Sequence, residues 1–206
     1  MHSFLMKQQI EYVIFIIEQA GTRPFNRGQL LNVGFLESQK MGSWECFVFH
    51  DVDLLPLDGR NLYQCDKQPR HMSAAIDAFG FELPYNNLLG GVLAMTLELL
   101  QKVNGFSKRY WGWGGEDDDM FHRLWMMGYR ITRYNMSVAR YIMLGHSKAV
   151  RNPRREDILR GTKNIVKMDG ISSQEYVVIK RNFHPLYTHI IVDIDRSRYR
   201  QMLKRI

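Results

Sequence analysis

The chain has 206 residues, of which 45% are hydrophobic and 24% charged. That is enough for one domain with a real core, and it excludes a disordered or fibrous chain. Two cysteines exclude a disulfide scaffold, and no apolar run approaches the roughly 20 residues of a membrane span.

Taken in chain order, Met1 to Gln9 lacks the apolar stretch of a signal peptide. Tyr12–Ile17 is β-branched and aromatic and predicts a buried strand. Arg27–Gln39 places Leu30, Leu31, Gly34 and Phe35 on one helical face. Cys46–His50 is a second apolar strand running into Asp51-Val52-Asp53. Strand, helix, strand and then acids is an α/β pattern, with ligands expected at the carboxyl edge of a parallel sheet. Leu54–Pro69 reads as a loop, His71–Ile76 as a strand, Gly90–Met95 as an apolar segment and Leu97–Val103 as a helix stopped by Asn104-Gly105. Glu116–Met127 predicts a helix with four acids in its first turn. Tyr129–Thr132 and Ala139–Leu144 read as strands, Arg154–Met168 as a short helix, and Tyr176–Ile179 and Thr188–Ile194 as late strands. No linker is visible, so one domain is expected over residues 1–206.

The net charge of +7 raises nucleic acid as a partner. The positive residues cluster at Lys148, Arg151, Arg154, Arg155, Arg160 and Lys163, and in the tail at Arg196, Arg198, Arg200, Lys204 and Arg205. Neither cluster sits in a nucleic-acid-binding pattern, so no nucleic-acid partner is expected.

Three segments can carry chemistry. Asp51-Val52-Asp53 can hold a hard divalent cation against a diphosphate, or can be a plain strand-end turn. Trp111-Gly112-Trp113-Gly114-Gly115-Glu116-Asp117-Asp118-Asp119 combines sugar-stacking aromatics, flexible glycines and four repelling carboxylates. The helix dipole accounts for one or two of those acids, and a carboxylate there can act as a general base. Met143-Leu144-Gly145-His146 offers a thioether and an imidazole to a transition metal, although a lone histidine is more often structural. Cys46 and Cys65 fit either a bridge or two buried thiols, and a bridge would imply a secretory lumen. Asn135-Met136-Ser137 is a glycosylation sequon, which agrees with that compartment.

Phe25-Asn26-Arg27, Phe47 through Leu54, Gly90-Gly91-Val92, Trp111 through Asp119, Met143-x-x-His146 and Pro185-Leu186-Tyr187-Thr188 occur in that order. Together they resemble the β-1,4-galactosyltransferase and β-1,4-N-acetylgalactosaminyltransferase family, from about Leu5 to Ile194. The resemblance implies an α/β, Rossmann-like nucleotide-sugar-binding fold of glycosyltransferase-A type, with a mixed sheet flanked by helices. Nothing matches the family's first strand and Phe-Arg-x-Arg loop. The expectation is therefore a catalytic domain incomplete at its N-terminus, with tail, anchor and stem outside the chain.

The resemblance also implies roles. Asp53, Met143 and His146 would bind manganese. Phe25, Arg27, Asp51, Val52, Asp53, Leu88, Gly91, Trp113 and Gly114 would bind the UDP-sugar donor. Asp117 would be the base, with Glu116 beside it in the sugar site. Tyr85, Gly115, Asp118 and Arg155 would hold an acceptor ending in N-acetylglucosamine. Cys46 and Cys65 match the family's disulfide pair. The galactose-using branch usually carries Tyr at position 88, so Leu88 implies UDP-N-acetylgalactosamine as donor, with UDP-galactose as the alternative. The implied enzyme is inverting and lies on the lumenal side of the Golgi membrane, held there by an anchor that this chain lacks. The competing reading is a non-catalytic sugar- or nucleotide-binding remnant.

Overall fold

The structure is a computed structural model that describes residues 1–147 and 149–195. Lys148 and the basic tail from Arg196 onward lie outside the described residues. The chain opens with a short helix α1 (His2–Leu5) and a 3-10 turn (Met6–Gln8). Next come β1 (Phe15–Gln19), α2 (Arg27–Gln39), β2 (Cys46–His50) and β3 (Leu54–Pro56). Two short strands follow, β4 (Arg70–His71) and β5 (Ala75–Ile76), then β6 (Val92–Thr96), α3 (Leu97–Lys102) and α4 (Glu116–Met126). The last elements are β7 (Arg140–Met143), α5 (Arg155–Arg160), α6 (Thr162–Ile165), β8 (Val177–Phe183) and β9 (Thr188–Asp193).

The helix starts have local causes. Asn26 caps α2, its side chain accepting from the Gln29 N–H at 3.0 Å. Thr96 caps α3 in the same way through the Leu99 N–H. Gly115 precedes α4 at φ 102°, and a Cβ there would stand 2.6 Å from the Tyr110 ring. That position therefore requires glycine.

The strands form three sheets of three: β1-β9-β8, β2-β6-β4 and β3-β7-β5. β1 runs parallel to β9 and β5 parallel to β7, while the other ladders are antiparallel. β2 and β6 lie between two cores. Phe47, Phe49, Leu93 and Met95 pack with Phe35, Leu99, Leu100, Met120 and Leu124 on one side. Val48, Val92 and Ala94 pack with Leu54, Met72 and Tyr141 on the other. Packing on both faces, with Phe47 and Phe49 buried and Val48 partly buried, explains why Cys46–His50 reads as a continuous apolar run rather than an alternating one. A third cluster joins Leu30 and Val33 of α2 to Ile190 and Val192 of β9.

Several expectations are corrected. The acids at the end of β2 do not lie at the edge of a parallel sheet, because β2 pairs antiparallel with β6. The first strand lies at Phe15–Gln19, shifted from Tyr12–Ile17, because pairing with β9 begins there while Tyr12 and Ile14 pack on the core around Leu54. His71–Ile76 is two strands in two different sheets, with Met72 to Ala74 crossing between them. The start of the expected loop Leu54–Pro69 is instead β3, paired to β7. Tyr129–Thr132 has strand-like residues but makes only a bridge between Thr132 and Arg70. Arg154–Met168 is broken at Gly161 into α5 and α6, where glycine lacks helix propensity. β8 extends to Phe183, beyond the expected Ile179.

Cys46 and Cys65 are bridged, with 5.4 Å between their Cα atoms and a sequence separation of 19. The bond pins the start of β2 to the loop that follows β3. Replacing both cysteines with serine is expected to cost about 3 kcal/mol and roughly 6–12 °C in Tm. Thermal unfolding of the two forms checks this, and equal melting temperatures would refute it.

Candidate active site

The ends of β2, β3 and β7, the 85–91 loop and the N-terminus of α4 converge on one cleft. Arg27, at the start of α2, links the end of β2 to the start of α4. Its Nε donates to Asp51 Oδ1 at 2.7 Å, and its guanidinium lies 3.7 Å from Glu116 Oε1. Burial alone would lower the Arg27 pKa, but Asp51, Glu116 and Asp117 more than offset this and raise it. Arg27 is a fixed positive charge between two acidic elements.

Asp53 and His146 meet directly, with His146 Nδ1 2.9 Å from Asp53 Oδ2. The Leu144 N–H donates to the Asp53 carbonyl at 2.7 Å, which holds the chain after β7 against the acid. Met143 stands opposite Leu54 in the β3–β7 ladder, one residue from Asp53. Among the described residues, no three of His, Cys, Asp and Glu are grouped to hold a metal. The available donors are thus a carboxylate, an imidazole and a neighbouring thioether. The first two suit a divalent ion such as manganese, and the thioether is the softest member of the set. The donor chemistry fits.

The four acids of the first turn of α4 separate into different surroundings. Glu116 faces Arg27. Asp117 has its pKa pushed up to about 7, first by burial and then by the charges of Glu116 and Asp118. Asp118 accepts from the Tyr85 hydroxyl at 3.0 Å. Burial and the neighbouring charges of Asp117 and Asp118 raise the Tyr85 pKa, so its proton stays in place. Asp119 turns away into the core, where it accepts from Tyr110, Thr162 and Arg123.

Gly90 is the meeting point of the cleft. A Cβ there would lie 2.8 Å from Asp117 Oδ2 and 3.6 Å from Leu88 Cδ1. Leu88 and Asp117 thus approach one another across a residue that has no side chain. Gly91 has φ 94°, and a Cβ there would collide with Ser73 Oγ and stand 2.9 Å from Leu54 Cδ1.

Trp113 is 57% exposed, yet its backbone is tied to Val150 and Asn152 by two hydrogen bonds of 2.9 Å. The Arg155 guanidinium lies over its ring at 5.8 Å and packs close to Gly114 and Gly115. Phe25 is also exposed, and its carbonyl accepts from the Gly112 N–H. Val52 points into solvent at 90% exposure, so only its backbone faces the acidic turn.

The structure therefore brings together Arg27, Asp51, Glu116 and Asp117 on one side of the cleft. It brings Asp53, Met143 and His146 together on a second, and Tyr85, Asp118, Trp113 and Arg155 at its outer rim. Sequence reasoning missed two sets of supporting residues. One is the buried Arg123 with Asp169, for which the i,i+4 spacing of Asp119 and Arg123 is the available signal. The other is His71 with Arg133 behind the 85–91 loop, which carries no spacing signal.

Comparison with known proteins places this chain in a family. A family model described as the N-terminal region of glycosyl transferase group 7 matches residues 1–66, and one described as the N-terminal domain of galactosyltransferase matches residues 70–147. β-1,4-galactosyltransferase 1 of Mus musculus is 48% identical over 201 residues, covering 96% of this chain and 50% of its own length. β-1,4-galactosyltransferase 2 of Cricetulus griseus is 46% identical over 95% of this chain and 54% of its own. Among solved structures, the catalytic domain of Drosophila β-1,4-galactosyltransferase 7 with xylobiose superposes with a TM-score of 0.80 at 26% identity, covering 94% of this chain and 85% of that one. A mutant of the same enzyme, in complex with manganese, UDP-Gal and xylobiose, gives a TM-score of 0.78 at 25% identity. The fold is that of a glycosyltransferase catalytic domain, mixed α/β with helices flanking small mixed sheets. More narrowly, the chain belongs to the group 7 glycosyltransferases, the β-1,4-galactosyltransferase family. It spans about half the length of the curated relatives that it matches.

Proposed function

We propose that this chain carries the catalytic site of an inverting hexosyltransferase that moves a sugar from a UDP-sugar to the 4-hydroxyl of an N-acetylglucosamine-ended glycan. The observation that carries this reading is Asp117. It is a carboxylate with a raised pKa, set against the loop of Leu88 and Gly90, with the fixed positive charge of Arg27 nearby. The complex of the Drosophila relative with UDP-Gal, manganese and xylobiose supports the substrate class.

Arg27, held between Asp51 and Glu116, would meet the uridine side of the donor together with Phe25. Manganese, held by Asp53, Met143 and His146, would supply positive charge against the leaving diphosphate. Asp117 takes the proton from the acceptor hydroxyl, and that oxygen attacks the anomeric carbon from the face opposite the leaving group. Tyr85 and Asp118 orient the acceptor through their shared hydrogen bond. Trp113, exposed between Gly112 and Gly114, covers the donor and keeps water from it.

Leu88 supports UDP-N-acetylgalactosamine as the donor, because an aliphatic side chain leaves more room than tyrosine for a 2-N-acetyl group. Transfer by the recombinant protein from each UDP-sugar, with manganese, tests both readings. A strong preference for UDP-galactose would overturn the donor assignment, and binding of UDP without any transfer would overturn the enzyme. Leu88→Tyr is expected to shift the kcat/KM ratio toward UDP-galactose by about 10–200-fold. The oxidised Cys46–Cys65 pair supports the Golgi lumen as the place of action. Among the described residues, no helix is long and apolar enough to cross a membrane.

A further inference from the structure

His71 and Arg133 lie directly behind the 85–91 loop and touch none of the residues given a role above except through its backbone. His71 is fully buried. Its backbone N–H donates to the Thr132 carbonyl at 3.0 Å, so the next residue, Arg133, is delivered beside its ring. Arg133 Nε donates to His71 Nδ1 at 3.0 Å. A guanidinium can only donate, so Nδ1 is the acceptor and Nε2 carries the ring proton. Nε2 then donates to the Gly90 carbonyl at 2.9 Å. The other arm of Arg133 donates to the carbonyls of Asn86 and Leu88, each at 2.9 Å.

Carbonyls 86, 88 and 90 are thus all held by one cation and the histidine that it orients. Ser73 adds a second hold, donating to the Gly90 carbonyl at 3.3 Å and accepting from the Val92 N–H at 2.8 Å. Among the described residues, Arg133 has no carboxylate partner. A half-buried cation spent on loop carbonyls needs a reason, because its desolvation is not repaid by an opposite charge. Burial and Arg133 lower the His71 pKa to about 3, so the ring is neutral and its tautomer stays fixed over the working pH range.

We infer that Arg133 and His71 are positioning residues that set how far Leu88 stands from Asp117, and so set the discrimination between a 2-hydroxyl and a 2-N-acetyl donor sugar. The inference rests on the donor pocket proposed above. The two sugars differ by an acetamido group, which an apolar wall distinguishes by fit alone. A wall of that kind discriminates about 10–200-fold per small group, so a loosened backbone loses selectivity before it loses chemistry. Lysine at 133 would supply a charge but not the planar fork that reaches three acceptors. Glutamine at 71 could accept from Arg133 and donate to Gly90, as the ring does.

The experiment measures kcat/KM for UDP-N-acetylgalactosamine and for UDP-galactose in wild type, Arg133→Lys, His71→Leu and His71→Gln. Amide hydrogen exchange of residues 85–91 is followed in the free proteins alongside. Arg133→Lys and His71→Leu are expected to move the donor ratio about tenfold toward unity and to raise exchange in that segment alone. His71→Gln should restore both readouts to near wild type. An unchanged ratio overturns the inference, as does a uniform fall for both donors with exchange rising across the whole protein, which marks a merely structural pair. If His71→Leu does not fold, Arg133→Lys decides. A wild type that prefers UDP-galactose overturns the donor assignment but not this inference, because the ratio still moves with the pair. A wild type that transfers neither sugar overturns the proposed function. In that case unchanged exchange at 85–91 in Arg133→Lys overturns the clamp as well, and locally raised exchange supports it.

Discussion

Asp117→Asn is expected to lower kcat by about 10²–10⁴-fold while leaving UDP affinity within about threefold of wild type. The amide keeps the size and most of the hydrogen bonding of the carboxylate but cannot take a proton. The same residue predicts the shape of the pH profile. Burial and the charges of Glu116 and Asp118 push its pKa up to about 7. A base works only when deprotonated, so kcat/KM should rise with pH and level off above about 7. Below that point each pH unit costs close to tenfold. Glu116→Gln removes one of the charges holding the pKa up, so the rising limb should move to lower pH. A flat profile between pH 5 and 8 in the wild type, or an asparagine variant with near-normal kcat, would remove Asp117 from the role of base.

Arg123→Met is expected to destabilise the protein by about 3–5 kcal/mol. Arg123 is fully buried on α4. Its Nε donates to Asp119 at 2.5 Å, and its remaining nitrogens reach the Asp169 carboxylate at 3.0 Å and the Asp169 carbonyl at 2.7 Å. Ser107 also donates to Asp169, and Tyr110 and Thr162 donate to Asp119. Removing the guanidinium leaves two carboxylates in the core with only neutral partners. Methionine fills the volume but not the charge, so the cost measured is that of the unpaired acids rather than of a cavity. Urea unfolding should show a lower midpoint with an unchanged slope. A loss under about 1 kcal/mol would mean that water reaches these acids freely. Because Asp119 lies two residues from Asp117, a folded fraction of this variant should also transfer sugar more slowly.

The parts of this molecule that can be read directly are those in which one residue type serves one purpose. Cys46–His50 is apolar because both of its faces pack against a core, one fully and one partly buried, and it ends where the acids begin. The glycine and acid run from Gly112 to Asp119 marks a ligand site because four adjacent carboxylates repel one another unless something offsets them. Elements that depend on a distant partner are harder to read. Leu54–Pro56 is a strand only because β7 lies beside it, and its short length and proline conceal this. Tyr129–Thr132 has strand residues but forms only an isolated bridge from Thr132 to Arg70. Of four successive acids, only the i,i+4 spacing to Arg123 distinguishes Asp119, which enters the core, from Asp117, which stays in the cleft. That difference depends on Arg123 and Asp169. His71 reads as part of an ordinary strand, and its work becomes visible only when Arg133 is brought beside it from 62 residues away.

The network around Arg123 also bears on where this protein can be divided. The stretch matched by the two family models ends at residue 147. Thr162 and Asp169, which satisfy Asp119 and Arg123, lie past that point, as do Val150 and Asn152, which hold Trp113. A graft or truncation that kept every residue of the signature and stopped there would carry the chemistry without its footing, with a charged arginine left in the core and one partner gone. The stretch matched by the family models and the stretch that supports the site have different lengths. Anyone transplanting this site would have to move the plainer sequence through Asp169 along with it.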